Sequence, residues 1–446
     1  MPVAGALCHL KILELTDKGD GVGRIDGIPL YVEGALPGEE IEAELTLVKP
    51  NYLHGRLQRV LEPSEHRVAD FCAHTDCGGC QVRTLAYPAQ LEYKHQLVVK
   101  ALHQQGLQAE VLPVLGMEHP FAWRNKAQFA VRPTGNGPAI GFYRKHSHEL
   151  VACDDCAVQD PFHETLLARL RQWIASEGVS AYDETQHSGE LRHVMTRKGF
   201  ATGEWMLVLV TRSETLPGEA ALLALLADLP LTTVVHNIHP EPGNRVLGAT
   251  NRVLCGDGVI TDRLHDLEFV ISPLSFYQVN PRQTDVLYGK ALEFAGLTGD
   301  ETVFDLYCGI GTISLFLAQQ AARVVGIELV AEAIADARRN AERNDIHNVE
   351  FHIGQAEVVV PELYAAGERA DVVVVDPPRK GCDAALLRTL VEMAPQRLVY
   401  VSCNPQTLAR DLAWLCQHGF ALDGVQPVDM FPHTLHVEVV ARLRRA

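Results

Sequence analysis

Residues 302–314 read TVFDLYCGIGTIS, an apolar run followed at once by two closely spaced glycines and the start of a helical pattern. Similar strand-like segments recur downstream, within VVGIEL, VEFHIGQAE, ADVVVVDPPR and RLVYVSCNP, with helical stretches between them. Short apolar runs that alternate with helices predict a parallel sheet covered by helices on both faces. Ligands bind such sheets at the carboxyl ends of the strands. The residues that end these strands are therefore the candidates for a binding site.

The turn after the first of these strands indicates a nucleotide. Gly309 and Gly311 let the backbone turn tightly and approach a ligand, because glycine has no Cβ. Ser314 stands where a dinucleotide-binding turn has its third glycine, which disfavours a dinucleotide. Glu328 ends the next strand, where a carboxylate accepts hydrogen bonds from ribose hydroxyls. Together these features predict an adenosine-containing cofactor.

Three further residues have side chains suited to catalysis or binding. Asp376 precedes two prolines, which hold it in an extended turn. Cys403 follows a buried strand pattern, and a thiolate is a strong nucleophile near neutral pH. Glu438, near the C-terminus, is a carboxylate that a reaction can use as a base. From the residues alone, a rigid turn, a buried structural thiol and a surface carboxylate remain the alternatives.

The cysteines indicate a metal site. Cys72, Cys77 and Cys80 have the spacing C-x4-C-x2-C, and Cys153 and Cys156 form a distant C-x2-C. Zinc and iron–sulfur clusters commonly take four such ligands. Three clustered cysteines and one remote cysteine are more typical of an iron–sulfur cluster than of a zinc ribbon, whose pairs lie closer together. Unliganded thiols are the alternative.

Length and composition predict a globular protein of several domains, with 446 residues of which 47% are apolar. No apolar run is long enough for a membrane span and no secretion signal is present, so we expect a cytoplasmic protein with no membrane partner. The net charge of −17 argues against binding of polyanions over the whole surface. Residues 119–148 reverse that sign and interleave cations with aromatic side chains. They predict an RNA-facing strand pair, with a solvated sheet face as the alternative.

The N-terminal part has a different pattern. Residues 10–60 contain short alternating runs separated by Gly and Pro, which predicts a small barrel of about five strands. Small barrels of this kind often bind single-stranded nucleic acid, although a β subdomain without a binding role fits the pattern as well. Residues 87–105 have helical spacing.

The chain resembles the RNA 5-methyluridine (uracil-5-) methyltransferase family, specifically its TRAM-domain, iron–sulfur branch that acts on 23S ribosomal RNA. The resemblance rests on motifs in the family's order: GDGVGRIDG, CGGC, WRNKAQF, SFYQVN, DLYCGIGT, DPPRKG, YVSCNPQTLARD and PHTLHVE. It implies an α/β fold with a doubly wound, Rossmann-like methyltransferase domain, an N-terminal TRAM barrel of the OB-like type and a central α+β domain. We expect these parts at residues 271–446, 1–62 and 63–270, with helix 87–105 packing on the catalytic domain.

The resemblance also implies roles for particular residues. The nucleophile is Cys403 and the general base is Glu438. The contacts to S-adenosylmethionine are Gln278, Tyr307, Glu328 and Asp376. The ligands of a 4Fe-4S cluster are Cys72, Cys77, Cys80 and Cys156. Cys153 has no counterpart in the family, so zinc stays an alternative.

The implied reaction explains why these residue types occur. Carbon 5 of uracil is a poor nucleophile, so the Cys403 thiolate adds at carbon 6 and makes carbon 5 reactive toward the sulfonium methyl. Glu438 then removes the proton from carbon 5. The base must leave its stack, and Phe276 is a candidate to pack against it. We expect a monomer acting on 23S ribosomal RNA. The alternatives are the same reaction on transfer RNA, or a catalytically silent RNA-binding iron–sulfur protein, against which the intact Cys403 and Glu438 argue.

Overall fold

The N-terminal region is a six-stranded sheet. The structure is a computed structural model and describes residues 3–145 and 147–446. The strands are β1 (Leu7–Lys11), β2 (Glu14–Leu15), β3 (Asp20–Ile25), β4 (Ile28–Glu33), β5 (Glu40–Val48) and β6 (Leu53–Glu62). They lie in the order β1-β5-β6-β4-β3-β2, antiparallel except for the β4–β6 pair. Alternate residues of β5, such as Ile41 and Ala43, fill the core of this sheet. The short β2 is the strand beyond the five predicted.

Residues 72–81, which contain Cys72, Cys77 and Cys80, form the cysteine segment. Helix α1 (Tyr87–Gln104) follows it and packs on the C-terminal region of the chain. Val98, Ala101 and Leu102 on this helix are buried in the same core as the C-terminal strands. Residues 111 and 115 form bridges to a strand of that region as well. The chain therefore contacts the C-terminal sheet before it enters the central sheet.

The central region is a seven-stranded sheet with two helices on one face. Its elements are β7 (Lys126–Thr134), β8 (Gly137–Tyr143), β9 (Leu150–Ala152), α2 (Phe162–Ser176), β10 (Leu191–Lys198), β11 (Trp205–Thr211), α3 (Glu219–Leu226), β12 (Thr233–Ile238) and β13 (Thr250–Cys255). The strand order is β13-β12-β11-β10-β7-β8-β9, and only β11 and β12 are parallel. Leu166 and Trp173 of α2 pack on one face, while Met195 and Val208 on the other face join the core of the C-terminal region.

The C-terminal region is the predicted doubly wound sheet, preceded by a two-stranded hairpin. Its elements are β14 (Ile260–Leu264), β15 (Leu267–Ile271), α4 (Pro281–Ala295), β16 (Thr302–Leu306), α5 (Thr312–Ala318), β17 (Arg323–Glu328), α6 (Ala331–Arg343), β18 (Val349–Ile353), α7 (Ala356–Ala365), β19 (Val372–Val375), α8 (Ala384–Met393), β20 (Arg397–Ser402), α9 (Pro405–Gln417), β21 (Phe420–Val428) and β22 (Glu438–Arg445). The sheet order is β18-β17-β16-β19-β20-β22-β21. Strands β16 to β20 are parallel, as their apolar runs predict; those of β16, β17, β19 and β20 are largely buried, and β18 is the edge strand.

The antiparallel strand β22 lies between β20 and β21. Because it runs opposite to β20, it begins at the edge of the sheet where the parallel strands end. Glu438, its first residue, therefore lies at the same edge as the residues that follow β16, β17, β19 and β20. With the N-terminal barrel-type sheet and the central α+β region, this confirms the predicted fold class.

The hairpin of β14 and β15 is fastened to the C-terminal region. The amide oxygen of Asn340 on α6 accepts a hydrogen bond from Val270 N at 3.0 Å, and that of Asn344 accepts one from Glu268 N at 2.8 Å. We therefore propose that the hairpin belongs with the methyltransferase region rather than with the central region to which the predicted boundaries assign it.

The structure shows how the cations of the predicted RNA-facing strand pair, within residues 119–148, are placed. Lys126 is largely buried and burial lowers its pKa to about 7. Arg132 is 7% exposed and forms an ion pair with Glu184. Arg144 pairs with Asp76 at 2.9 Å. Arg132, Arg144 and Lys145 therefore have acidic partners inside the protein, and an RNA-facing role of this strand pair stays a prediction. In the described ranges, no helix has the length and apolar character needed to cross a membrane.

Candidate active site

A cavity of about 1350 Å³ opens at the carboxyl ends of the parallel strands. Its wall includes all the residues that the sequence assigns to the cofactor and to catalysis: Gln278, Tyr307, Glu328, Asp376, Cys403 and Glu438. They come from segments that are as far apart as residues 278 and 438, and the parallel order of the strands gathers them at one edge.

The glycine turn and Glu328 form one unit. Tyr307, Gly309 and Gly311 all have positive φ angles, of 68°, 57° and 80°, so the chain turns sharply after β16. The Gly309 N–H donates to Glu328 Oε2 at 3.2 Å, and the Val330 N–H donates to Glu328 Oε1 at 2.9 Å. These bonds orient the Glu328 carboxylate toward the turn, and its remaining lone pairs are available to ligand hydroxyls.

Asp305 lies beneath this turn and is completely buried. Its Oδ2 accepts a hydrogen bond from the Ser314 hydroxyl, and its Oδ1 has no partner among the described residues. Burial raises the pKa of Asp305 to about 7, while the Ser314 bond opposes that increase. The motif containing Asp305 was visible in the sequence, but its burial and its unpaired oxygen were not.

Cys403 lies between the end of β20 and the start of α9. The Asn404 side chain accepts a hydrogen bond from Gln406 N at 3.1 Å and caps the helix, whose first residue is Pro405. Cys403 directly precedes that cap, where the positive end of the helix dipole favours a thiolate. Burial raises the pKa of the Cys403 thiol, Glu438 and Asp376 raise it further, and Arg379 lowers it.

Strand register brings Glu438 opposite Cys403. Ser402, the last residue of β20, pairs with Val439 of β22 in the antiparallel ladder. Cys403, which follows Ser402, and Glu438, which precedes Val439, are therefore neighbours. Glu438 is 5% exposed, and burial raises its pKa well above the ordinary value, with Asp376 adding to the increase and Arg379 opposing it. Burial also raises the pKa of Asp376 to about 7. An entering cation would favour ionisation of both carboxyls.

A buried ion pair holds the loop between β21 and β22, which precedes Glu438 in the sequence. Lys94 Nζ lies 2.5 Å from Asp429 Oδ1, and both side chains are completely buried. The Tyr87 hydroxyl donates to Asp429 Oδ2 at 2.8 Å, and Lys94 also donates to the Phe431 carbonyl at 3.0 Å. The helical spacing predicted a helix that contains Lys94, but it did not predict this ion pair. Nothing in the local pattern identifies a partner 335 residues away.

A second cavity of about 930 Å³ adjoins the first. Arg379, Cys403 and His436 line both cavities. The other walls come from the loop after β2, from the cysteine segment and from the loop after β8, and they include Asp17, Lys18, Gly78, Gln81, Tyr143, Arg144 and Lys145. Cys403 is thus reached from two sides. Neither Arg379 nor His436 was predicted as a site residue from the sequence, although they lie within the motifs DPPRKG and PHTLHVE.

Gln278 and Phe276 lie on the segment between β15 and α4. The Asn125 side chain donates to the Gln278 carbonyl at 2.9 Å, and Asn125 N donates to the Val279 carbonyl at 2.8 Å. These bonds tie the segment to the central region. Phe276 is 67% exposed and lines the first cavity. An exposed aromatic ring at a cavity wall is available for stacking.

The cysteines of the predicted metal site lie near one another. Burial raises the pKa of Cys80 to about 12, and the neighbouring thiols of Cys156, Cys77 and Cys72 add to the increase. Cys153 is buried and its thiol donates to the Asp155 carbonyl at 2.8 Å. Within residues 3–145 and 147–446, no three His, Cys, Asp or Glu side chains have the arrangement of a metal site. The thiol of Cys153 also neighbours those of Cys156, Cys77 and Cys72. Four thiols are nevertheless the donor set that iron–sulfur clusters and zinc take.

Comparison with known proteins identifies relatives over the whole chain. The sequence profile of a family described as tRNA (Uracil-5-)-methyltransferase matches residues 259–446, and that of the TRAM domain matches residues 5–58. A protein of Halalkalibacterium halodurans named as an uncharacterized RNA methyltransferase is 48% identical over 440 residues, covering 98% of this chain and 96% of the relative. A protein of Clostridium tetani with the same description is 46% identical, covering 97% and 95%.

One solved structure is similar along nearly the full length. It is the tRNA (uracil-54, C5)-methyltransferase of Pyrococcus abyssi in complex with S-adenosyl-L-homocysteine. The TM-score is 0.81 at 30% sequence identity, and the alignment covers 98% of this chain and 100% of that chain.

Proposed function

This chain belongs to the family of TRAM-domain RNA (uracil-5-)-methyltransferases, and on that premise we propose that it methylates carbon 5 of a uridine in 23S ribosomal RNA. The enzyme is an S-adenosylmethionine-dependent RNA methyltransferase. One observation carries the proposed assignment of residues: a single cavity brings Cys403 and Glu438 together with Gln278, Tyr307, Glu328 and Asp376.

In this proposal the four cofactor residues hold S-adenosylmethionine at the strand ends. The Glu328 carboxylate, oriented by two main-chain N–H groups, accepts hydrogen bonds from the ribose hydroxyls. Tyr307 and the glycine turn approach the nucleoside, and Gln278 lines the same cavity. Asp376 is a carboxyl whose ionised form the sulfonium charge favours.

Cys403 begins the reaction as a thiolate. It adds to carbon 6 of uracil, and the electron pair of the 5,6 double bond moves into an enolate. Carbon 5 then attacks the sulfonium methyl, the bond from methyl carbon to sulfur breaks, and S-adenosylhomocysteine leaves. At this point Cys403 is covalently bound to carbon 6, and carbon 5 carries both the methyl group and its original proton.

Glu438 completes the reaction. Its carboxylate removes the proton from carbon 5, the 5,6 double bond returns, and the bond from carbon 6 to the Cys403 sulfur breaks. In the free protein burial favours the protonated carboxyl. The positive charges of Arg379 and the sulfonium therefore have to favour the ionised form before Glu438 acts as a base.

The second cavity supports a path for RNA. The loop that carries Asp17 and Lys18 belongs to the N-terminal TRAM region, and it faces the cavity that reaches Cys403. Lys18 forms no ion pair within the described residues, so its charge is available to a phosphate. The target base would leave its stack to reach Cys403, with Phe276 packing against it.

Transfer RNA is the second candidate substrate, because the similar Pyrococcus abyssi structure is described as a transfer RNA enzyme. The 23S assignment rests instead on the resemblance of the cysteine set and the motif order. The residues at the chemical site are the same for either RNA, so the substrate has to be tested directly.

The decisive experiment offers labelled S-adenosylmethionine with unmodified 23S ribosomal RNA or unmodified transfer RNA, followed by digestion to nucleosides. We expect label in 5-methyluridine from 23S ribosomal RNA, and loss of that label in Cys403→Ala. Cys416→Ala is the matched control, because Cys416 lies on α9 and lines neither cavity. Label from transfer RNA alone would overturn the 23S assignment. Full activity of Cys403→Ala would overturn the covalent route.

We also propose that Cys72, Cys77, Cys80 and Cys156 hold a 4Fe-4S cluster, with zinc as the alternative. Arg83 and Arg124 lie close to these thiols and offset the charge of their thiolates. The cluster would cross-link the segment at residues 72–80 to residue 156. Metal analysis of anaerobically purified protein tests this: Cys80→Ser is expected to lose the metal, and Cys153→Ser to keep it. Full metal content in Cys80→Ser would refute the ligand set.

A further inference from the structure

Arg379 lies where the two cavities meet, and its main chain is tied to the loop of Cys403. The Asn404 side chain donates to the Arg379 carbonyl at 3.0 Å, and the Thr407 hydroxyl donates to the same oxygen at 3.1 Å. Asn404 is the residue after Cys403, and Thr407 lies in the first turn of the helix that follows. The DPPRKG turn therefore cannot move independently of the residues that place the thiol.

The guanidinium of Arg379 is directed by a third segment. Its Nη2 lies 3.0 Å from His436 Nδ1. Because a guanidinium only donates, His436 Nδ1 must be the acceptor, and the imidazole is neutral with its proton on Nε2. Burial lowers the pKa of His436, and the neighbouring Arg379 lowers it further, which agrees with a neutral ring. His436 stands two residues before Glu438, so the bond links Arg379 to the second catalytic segment.

Arg379 has no carboxylate partner among the described residues. The close pairs of a Lys or Arg side chain with a carboxylate in that part of the chain do not include Arg379. It keeps an unneutralised positive charge next to a thiol that has two buried carboxyls as neighbours. A cation in that position favours the ionised form of whichever acid it faces.

We propose that Arg379 stabilises the Cys403 thiolate and that Asn404, Thr407 and His436 hold it in place for that purpose. The role rests on the proposed function, in which Cys403 is the nucleophile. Arg379 acts through Cys403, so it is a positioning residue. Without it, nothing would oppose the increase in the pKa of Cys403 that burial and the nearby Glu438 and Asp376 cause, apart from a main-chain hydrogen bond.

The test measures the nucleophile itself, without RNA or methyl donor. The full-length protein is treated with iodoacetamide, a neutral reagent, from weakly acidic to alkaline pH, and alkylation of Cys403 is followed by peptide mass spectrometry. Only the thiolate reacts, so the midpoint of the rate profile reports the pKa of Cys403. The other ten cysteines are read separately in the same digest.

Arg379→Gln is expected to move the midpoint upward by about one pH unit, which slows alkylation below the midpoint about tenfold. Arg379→Lys should retain part of the effect, because it keeps the charge but loses the planar donor geometry. Arg388→Gln is the matched control: Arg388 lies on α8, lines neither cavity and makes no hydrogen bond or ion pair with the described residues. It should leave the midpoint unchanged.

An unchanged midpoint in Arg379→Gln would overturn the proposal, including when RNA binding is weakened, since Arg379 would then serve the RNA and not the thiol. An equal shift in Arg388→Gln would also overturn it, because the effect would be one of overall charge. These outcomes are independent of the proposed function, which fails if Cys403→Ala still methylates RNA.

Discussion

Replacement of Glu438 by Gln separates the two halves of the proposed reaction. The side chain is 5% exposed, at the start of β22, and burial holds its pKa well above 4.5. Glutamine is a neutral group of nearly the same size, and burial favours the neutral form of the carboxyl that it replaces. The substitution therefore removes the base while leaving the shape of the cavity almost unchanged.

The effect on stability has a definite sign. A buried acid whose pKa is raised on folding favours the native state less as the pH rises, because the unfolded carboxyl ionises above 4.5 and the folded one does not. Each pH unit between the unfolded and folded values removes about 1.4 kcal/mol of stability from the wild-type protein. Glu438→Gln has no such loss. The difference in melting temperature between Glu438→Gln and the wild type should therefore shift in favour of the variant from acidic to neutral pH.

The effect on catalysis is opposite in direction. Loss of a general base is expected to slow turnover by about 10² to 10⁴-fold. Because the proton on carbon 5 must leave before Cys403 can leave, the bond between Cys403 and carbon 6 should persist. Labelled substrate RNA should then migrate with the protein on a denaturing gel. The adduct should be absent in the double variant Cys403→Ala, Glu438→Gln. Glu362→Gln, an exposed site on α7, is the matched control and should turn over normally.

Wild-type turnover by Glu438→Gln would refute the assignment of the base. Slow turnover without any adduct would show that the carboxyl acts before carbon 6 is attacked. A stability difference that does not change with pH would refute the statement that the folded carboxyl is protonated.

Three further predictions follow from the contacts. Lys94→Met alone should lower the free energy of unfolding by about 3–5 kcal/mol, measured by urea denaturation, because Asp429 is left charged and buried; addition of Asp429→Leu should recover much of that loss. Gly326→Ala should cost about 1–3 kcal/mol in the same assay, since an added Cβ would lie 2.6 Å from the Phe351 ring. Glu328→Gln should weaken binding of S-adenosylmethionine about tenfold by calorimetry, because one charged hydrogen-bond acceptor is lost at the ribose.

Each of these has a contrary outcome. If the double variant at residues 94 and 429 is as unstable as the single one, the pair is not the source of the loss. If Gly326→Ala is as stable as the wild type, Phe351 moves freely and β17 and β18 are not closely packed there. If Glu328→Gln binds the methyl donor normally, the acid only supports the glycine turn through its two main-chain bonds.

Much of the candidate site could be predicted because it lies at strand ends. Tyr307, Asp376 and Cys403 each follow a short apolar run, and Glu328 ends one. Parallel strands share one carboxyl edge, so residues with this position along the chain have to meet in space. Glu438 did not follow from that rule, because it begins a strand. Only the resemblance assigned it as the general base. Strand β22 runs antiparallel beside β20, which explains why Glu438 lies next to Cys403.

Charge patterns were less informative. The cations of residues 119–148 predict an RNA-facing surface, and the sequence does not show that Arg132 pairs with Glu184 and Arg144 with Asp76, or that Arg144 and Lys145 line the second cavity. Composition counts charges without showing which of them are paired, since the partners come from distant segments. For the same reason the pair of Lys94 and Asp429 could not be anticipated.

The sequence by itself determined the order of the strands and helices, the glycine turn and the chemical type of each site residue, since these follow from local periodicity and from side chains. The tertiary structure decided which charged side chains form ion pairs. It also decided that burial raises the pKa values of Asp376 and Glu438, and that Arg379 lies near Cys403. Those properties depend on burial and on contacts between segments hundreds of residues apart, and no local pattern contains them.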